Sequence, residues 1–240
     1  MDFEDIKLFS DVFVSWEGEP PFQGRRTAFI RFAGCDVGCK FCDEKSSWSP
    51  SKAKYTFKEV LEFLTKESFS LLALTGGEPL QSPYLPNVVK SLKLAYHYID
   101  LEILTSGHFG ISFTNHEYLL DSSNLEGVTL VLSPKLYESK DFPFYSYDFW
   151  FNYLSYIKER KSGLVLKFLG SQRIIRHFEP FIKKAYICGV PIYLQAITEG
   201  NRIKELDLDE FSEALELLNS FIPIEAINVS MQQHPFLYLK

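Results

Sequence analysis

Short apolar or β-branched runs recur along the chain, at Thr27–Phe32, Leu71–Leu74, Leu101–Leu104, Gly127–Leu132, Gly163–Leu169, Pro191–Gln195 and Ile224–Val229. Between them the pattern changes to a helical period. Thr56–Lys66 aligns Val60, Leu61 and Leu64 behind a capping Thr56, and Asp207–Asn219 aligns Phe211, Leu215 and Leu218 on one face. Strands that alternate with helices predict a parallel sheet with right-handed crossovers. Six or seven such units fall short of an eightfold barrel. The expected fold is therefore α/β, a partial (open) TIM-type barrel of about six or seven mostly parallel strands with helices outside. No repeat, low-complexity tract or Gly/Pro/Ser-rich linker divides it, so residues 1–240 read as a single domain.

Composition narrows the class. Of 240 residues, 46% are hydrophobic and 16% aromatic, chiefly 22 Phe and 13 Tyr, which excludes a disordered chain and supplies a sizeable core. Lys plus Arg is 25 against 31 Asp plus Glu, a net charge of −6 that does not draw nucleic acid through its overall field. No uncharged apolar run approaches the ~18 residues that span a bilayer. The opening Met-Asp-Phe-Glu-Asp lacks a basic and an apolar signal region. A cytoplasmic protein with no membrane and no direct nucleic-acid partner is expected.

Chemistry concentrates at the predicted strand ends, where such folds carry reactive residues. The first core strand runs into Cys35, Cys39 and Cys42. The next three end in Thr75-Gly76-Gly77-Glu78-Pro79, Thr105-Ser106-Gly107 and Ser133-Pro134-Lys135. Either glycine pair alone reads as a turn; their succession on one rim points to a site. Three thiols at C-x3-C-x2-C converge on a soft metal centre, while the fourth, Cys188, lies far along the chain. A structural zinc site wants four closed ligands and would have to enlist Cys188. A 4Fe-4S cluster tolerates three thiolates when one iron is left for an exogenous ligand, the arrangement that binds and reduces S-adenosylmethionine (SAM).

The Cys motif with Phe41 before its last cysteine, followed by Gly76-Gly77-Glu78-Pro79, resembles the radical SAM superfamily. Within it, Glu17-Gly18-Glu19, Phe29-Ile30-Arg31-Phe32-Ala33-Gly34-Cys35, Cys42-Asp43, Ser133-Pro134-Lys135, Tyr193-Leu194-Gln195 and Gln232-Gln233-His234 resemble, in order, the 7-carboxy-7-deazaguanine synthases of the queuosine pathway. Four places depart from that pattern. Glu17-Gly18-Glu19-Pro20 stands for Gln-Gly-Glu-Gly, Cys42-Asp43-Glu44 for Cys-Asp-Thr, Leu104 for an acidic residue, and Met231 and Pro235 for flanking Pro and Lys.

The resemblance implies a lyase that converts 6-carboxy-5,6,7,8-tetrahydropterin into 7-carboxy-7-deazaguanine with loss of ammonia, using a 4Fe-4S cluster, SAM and Mg²⁺. It also implies an external one-electron reductant, flavodoxin- or ferredoxin-like, and a homodimer. Cys35, Cys39 and Cys42 would hold the cluster. Phe41, Gly76, Gly77, Glu78, Ser106, Ser133, Lys135 and Gln195 would contact SAM, the glycines by letting the backbone come close. Glu17, Gly18, Glu19, Arg31, Gly77, Gln232 and His234 would bind the pterin, Arg31 forking onto its carboxylate. Glu44 would be a Mg²⁺ ligand. Cys188 is expected to pack as a small hydrophobe. The competing readings are a related radical enzyme on another small heterocycle, a glycyl-radical activating enzyme, and a non-catalytic zinc-binding module.

Overall fold

The structure is a computed structural model that describes residues 3–39, 42, 44–109, 118–119, 125–135, 144–160, 163–196 and 208–230. Nine strands form one open sheet, ordered β3-β1-β2-β4-β5-β6-β7-β8-β9. They are β1 (Lys7–Trp16), β2 (Arg26–Phe32), β3 (Tyr55–Thr56), β4 (Leu71–Gly76), β5 (Asp100–Thr105), β6 (Val128–Leu132), β7 (Gly163–Leu169), β8 (Ile192–Gln195) and β9 (Ile227–Ser230). From β2 to β9 every neighbouring pair is parallel, which gives seven parallel strands. The helices are α1 (Phe57–Leu64), α2 (Leu85–Ala95), α3 (Phe144–Arg160), α4 (Gln172–Ile187) and α5 (Leu208–Asn219). The expected open, partial barrel is thus the observed one, and each of the seven predicted strands is present.

Two features differ from the sequence reading. The parallel array is extended by β1 and β3, which pair antiparallel. The last predicted strand begins later, because Ile224–Ala226 forms a 3₁₀ turn before Ile227.

Local chemistry explains the helix starts. Thr56 Oγ1 accepts the Glu59 N–H at 3.2 Å and Glu59 Oε2 accepts the Thr56 N–H at 2.8 Å, a reciprocal cap for α1. That helix buries Phe57, Val60 and Leu64.

Strand parity then sorts the side chains. On β2 and β4 to β7, Ala28, Ile30, Phe32, Leu72, Leu74, Leu101, Ile103, Leu130, Leu132, Leu164, Leu166 and Phe168 join the buried core against the helices. The alternate residues Phe29, Arg31, Thr75, Leu104, Val131 and Lys167 line a cavity on the other face. The helix-facing set is apolar throughout, and the cavity-facing set mixes Arg31, Thr75 and Lys167 with apolar Phe29, Leu104 and Val131.

Candidate active site

The cavity has a volume of about 300 Å³. Cys35, Cys39 and Cys42 all line it, and all three are free thiols. Burial, and next the neighbouring Glu78 carboxyl, push the Cys35 thiol up to about 12, and burial also raises Cys39. Trp48 Nε1 donates to Cys42 Sγ at 3.2 Å. Among the described residues no three His, Cys, Asp or Glu side chains gather around a single ion. A structural zinc ion wants four closed ligands, whereas a cluster takes one thiolate at each of three irons and leaves the fourth open. Cys188 caps the C-terminal end of α4 and packs against the core instead. The donor set fits the cluster.

The loop after β4 is sewn to the cysteine loop. Gly77 N–H donates to Phe32 O at 2.8 Å and Glu78 N–H to Gly34 O at 2.9 Å. Gly76 has φ +102°, and a Cβ there would come within 2.6 Å of Phe32 backbone. At Gly77 a Cβ would lie 2.0 Å from Gly34 O. The chain's own close approach therefore already requires both glycines, which also line the cavity.

Glu78 is 2% exposed, and its carboxylate is taken up by the protein. It accepts from Thr105 Oγ1 at 2.5 Å, Ser106 N at 2.8 Å, Ser106 Oγ at 2.5 Å and Leu80 N at 3.1 Å. Burial raises its proton affinity, and these donors oppose the rise. Glu78, expected to contact SAM, lines the cavity and also braces the ends of β4 and β5. Ser133 and Lys135 also line the cavity, with Lys135 Nζ donating to Ser133 Oγ at 2.8 Å.

A polar wall stands on the turn after β1. Glu17, Gly18 and Glu19 all line the cavity. Glu19 forms an ion pair with Lys167 of β7 and accepts from Gln195 Nε2 at 3.2 Å. Arg31 pairs with Glu44, approaches Asp11 at 3.8 Å, and lies 4.7 Å over the Phe13 ring. The structure thus brings together two residues, Arg31 and Glu44, that the sequence assigned to separate ligands. Phe41, Asp43, Gln232 and His234 lie outside the described residues.

Sequence reasoning missed Lys167 and Glu102. Each is a lone charge inside an apolar strand run, Gly163–Leu169 and Leu101–Leu104, and that is the signal that could have found them. Lys167 is 7% and Glu102 0% exposed.

The comparisons agree with this geometry. A family model described as a 4Fe-4S single cluster domain matches residues 22–129. A 7-carboxy-7-deazaguanine synthase of Methanopyrus kandleri is 27% identical over 239 residues, covering 89% of this chain and 88% of that protein. The Rhodopirellula baltica and Clostridium acetobutylicum synthases are each 34% identical, but over 41% and 54% of this chain. The chain spans only 39% and 63% of the lengths of those two relatives. The crystal structure of QueE from Escherichia coli superposes with a TM-score of 0.58 at 20% identity, covering 97% of both chains. Streptococcus suis SuiB bound to S-adenosylmethionine superposes with a TM-score of 0.56 at 15% identity, over 88% of this chain and 53% of that one. In its cysteine loop the chain is similar to proteins that hold a single 4Fe-4S cluster, and its open sheet is the fold of the radical SAM structures it superposes on. Among curated proteins it is similar to 7-carboxy-7-deazaguanine synthases.

Proposed function

We propose that the chain, as one radical SAM domain, converts 6-carboxy-5,6,7,8-tetrahydropterin into 7-carboxy-7-deazaguanine with release of ammonia. The observation that carries this is one cavity lined by three thiols, by Arg31 and by the linked Glu19, Lys167 and Gln195. A carboxylated heterocycle needs a cation for its carboxylate and acceptors for its amino and N–H edge. Arg31 supplies the planar fork, and Glu19 supplies the acceptor, oriented by Lys167 and Gln195.

Cys35, Cys39 and Cys42 would hold the cluster, and Gly76, Gly77, Ser106, Ser133, Lys135 and Gln195 would contact SAM. Bound there, cluster and SAM would supply the one-electron cleavage that starts radical chemistry. The chain's own part is to bind, orient and screen. Val131 and Leu169 form apolar cavity walls that keep water from the reacting ring. Glu44 would join Mg²⁺ to the substrate carboxylate. A flavodoxin- or ferredoxin-like donor, a homodimer and a cytoplasmic location complete the reading. Among the described residues no helix is long and apolar enough to cross a membrane.

The test is anaerobic incubation of cluster-reconstituted protein with SAM, reductant and the carboxytetrahydropterin. The expected products are 7-carboxy-7-deazaguanine and ammonia. Cleavage of SAM with the pterin left intact would move the reading to another heterocycle.

A further inference from the structure

Behind the polar wall lies a carboxyl group that does not line the cavity. Glu102, in the middle of β5, is 0% exposed, and no amide, hydroxyl or ammonium donor reaches either of its carboxylate oxygens among the described residues. Glu17 is 2% exposed, and its Oε2 is in the same condition. The two carboxyl groups are neighbours, each acting on the other's proton affinity. Carboxylates only accept, so a bond between two carboxyl groups needs a proton between them. Charge counting agrees. The cation acting on the pair is Lys167, and Lys167 is already ion-paired with Glu19.

The pair is tied to the site through the turn. Glu17 Oε1 accepts the Glu19 N–H at 2.9 Å, and Glu19 in turn meets Lys167 and Gln195. We propose that Glu102 is a positioning residue: it shares one proton with Glu17, and that bond pins the 17–19 turn so that Glu19 presents its carboxylate to the substrate. The inference deepens the pterin reading and, for its kinetic arm, rests on it.

The clamp is sensitive to alkali. Burial first, and then the Glu17 charge, hold the Glu102 carboxyl well above the usual range, and burial raises Glu17 as well. The charged groups that act on Glu102 are Glu17 and Glu19 of the turn and Lys167 of β7. Its register partners on β4 and β6, Ala73 and Thr129, are uncharged, and the Arg25–Asp100 ion pair lies two residues back along β5. Loss of the shared proton leaves two buried carboxylates face to face, and their repulsion opens the turn.

Two variants of the full-length, cluster-loaded protein test this. Glu102→Gln offers Glu17 an amide N–H that does not titrate, while Glu102→Leu offers nothing. Infrared spectra of ¹³C-glutamate-labelled protein without substrate should show a protonated carboxyl C=O band at neutral pH that Glu102→Gln removes. With the carboxytetrahydropterin, wild-type kcat/KM should fall on the alkaline side. Glu102→Gln should keep the neutral value and lose that limb. Glu102→Leu should be about tenfold or more lower across the pH range, the loss of a buried hydrogen bond, with iron content and substrate-free SAM cleavage unchanged. Identical infrared spectra of wild type and Glu102→Gln, or a wild-type pH profile in Glu102→Leu, would overturn the proposal. If wild type leaves the pterin untouched, the functional reading falls, and the infrared band still decides the clamp.

Discussion

Arg31 and Glu44 form an ion pair beside the cavity, joining the strand before the cysteine loop to the residue just after it. Their side chains are 29% and 19% exposed, so the pair is largely buried but still reached by water. Water that reaches the pair weakens it, so a ligand carboxylate can exchange with Glu44 on Arg31. The guanidinium is also held from the other side, by the Phe13 ring and by Asp11. It therefore stays in place when Glu44 lets go. An incoming substrate carboxylate would take over Glu44's position on Arg31, and the displaced Glu44 would be available to a divalent cation.

The first prediction follows for Arg31. Arg31→Lys keeps the charge and loses the fork, and Arg31→Ala loses both. One lost charge-assisted hydrogen bond costs roughly 1.5–3 kcal/mol, so kcat/KM for the pterin should fall about ten- to a hundredfold. SAM cleavage in the absence of substrate should survive. An equal loss of that uncoupled cleavage would assign Arg31 to holding the cysteine loop through Glu44.

For Glu44 the expectation is a shifted magnesium requirement. Glu44→Gln keeps shape and an oxygen but removes the charge that a hard cation prefers. Turnover should then need more Mg²⁺ to reach the same rate, with iron content unchanged. Because a neutral amide at this position would also bind Arg31 less strongly, the KM for the pterin should not rise. An unaltered magnesium titration would leave Glu44 as the partner of Arg31 alone.

How far the sequence carried this picture depends on where each signal lies. The parallel strands β2 and β4 to β8 are largely buried, and their apolar runs stand out, whereas β9 is partly exposed. β1 was missed because its pattern is broken. Ser10 and Asp11 interrupt the apolar residues of Lys7–Trp16, and a register irregularity between Phe9 and Asp11 breaks the pairing with β2. Such an irregularity resets which side chains face the core, so no simple alternation runs through the strand. The cysteines and glycines were legible because their spacing is local. The Glu17–Glu102 and Glu19–Lys167 contacts join residues far apart in the chain, and only the folded sheet brings them together. Glu78 shows the opposite limit. Its place in the motif was visible, but its four protein donors come partly from Thr105 and Ser106 on the next strand.

The cysteines give a direct test of metal content. Cys35→Ala, Cys39→Ala or Cys42→Ala should each remove most cluster iron after anaerobic reconstitution, since two thiolates do not retain the cluster. Cys188→Ala should keep full iron, because Cys188 packs on the far end of α4. Replacing this small, half-buried side chain should cost little stability. Zinc bound in a stoichiometry that depends on Cys188 would overturn the cluster assignment.

The last prediction concerns Gly77, whose Cβ would lie 2.0 Å from Gly34 O. No rotamer relieves this contact, since both partners are backbone or Cβ, so Gly77→Ala must push the β4 loop away from the cysteine loop. Two hydrogen bonds stitch these loops together, Gly77 N–H to Phe32 O and Glu78 N–H to Gly34 O, and the displacement stretches both. Overpacking of this kind costs about 1–3 kcal/mol. The apolar core packed with the helices does not include Gly77 and should remain folded, so the circular dichroism spectrum should persist with a lowered melting temperature. The local effect should be larger, because Gly34 directly precedes Cys35. Reconstituted iron should drop, and SAM cleavage should drop with it, even without substrate. That pattern separates Gly77 from Arg31, whose loss spares uncoupled cleavage. A Gly77→Ala protein with full iron and normal SAM cleavage would show that the two loops can separate without moving Cys35, and that the glycine serves the turn alone.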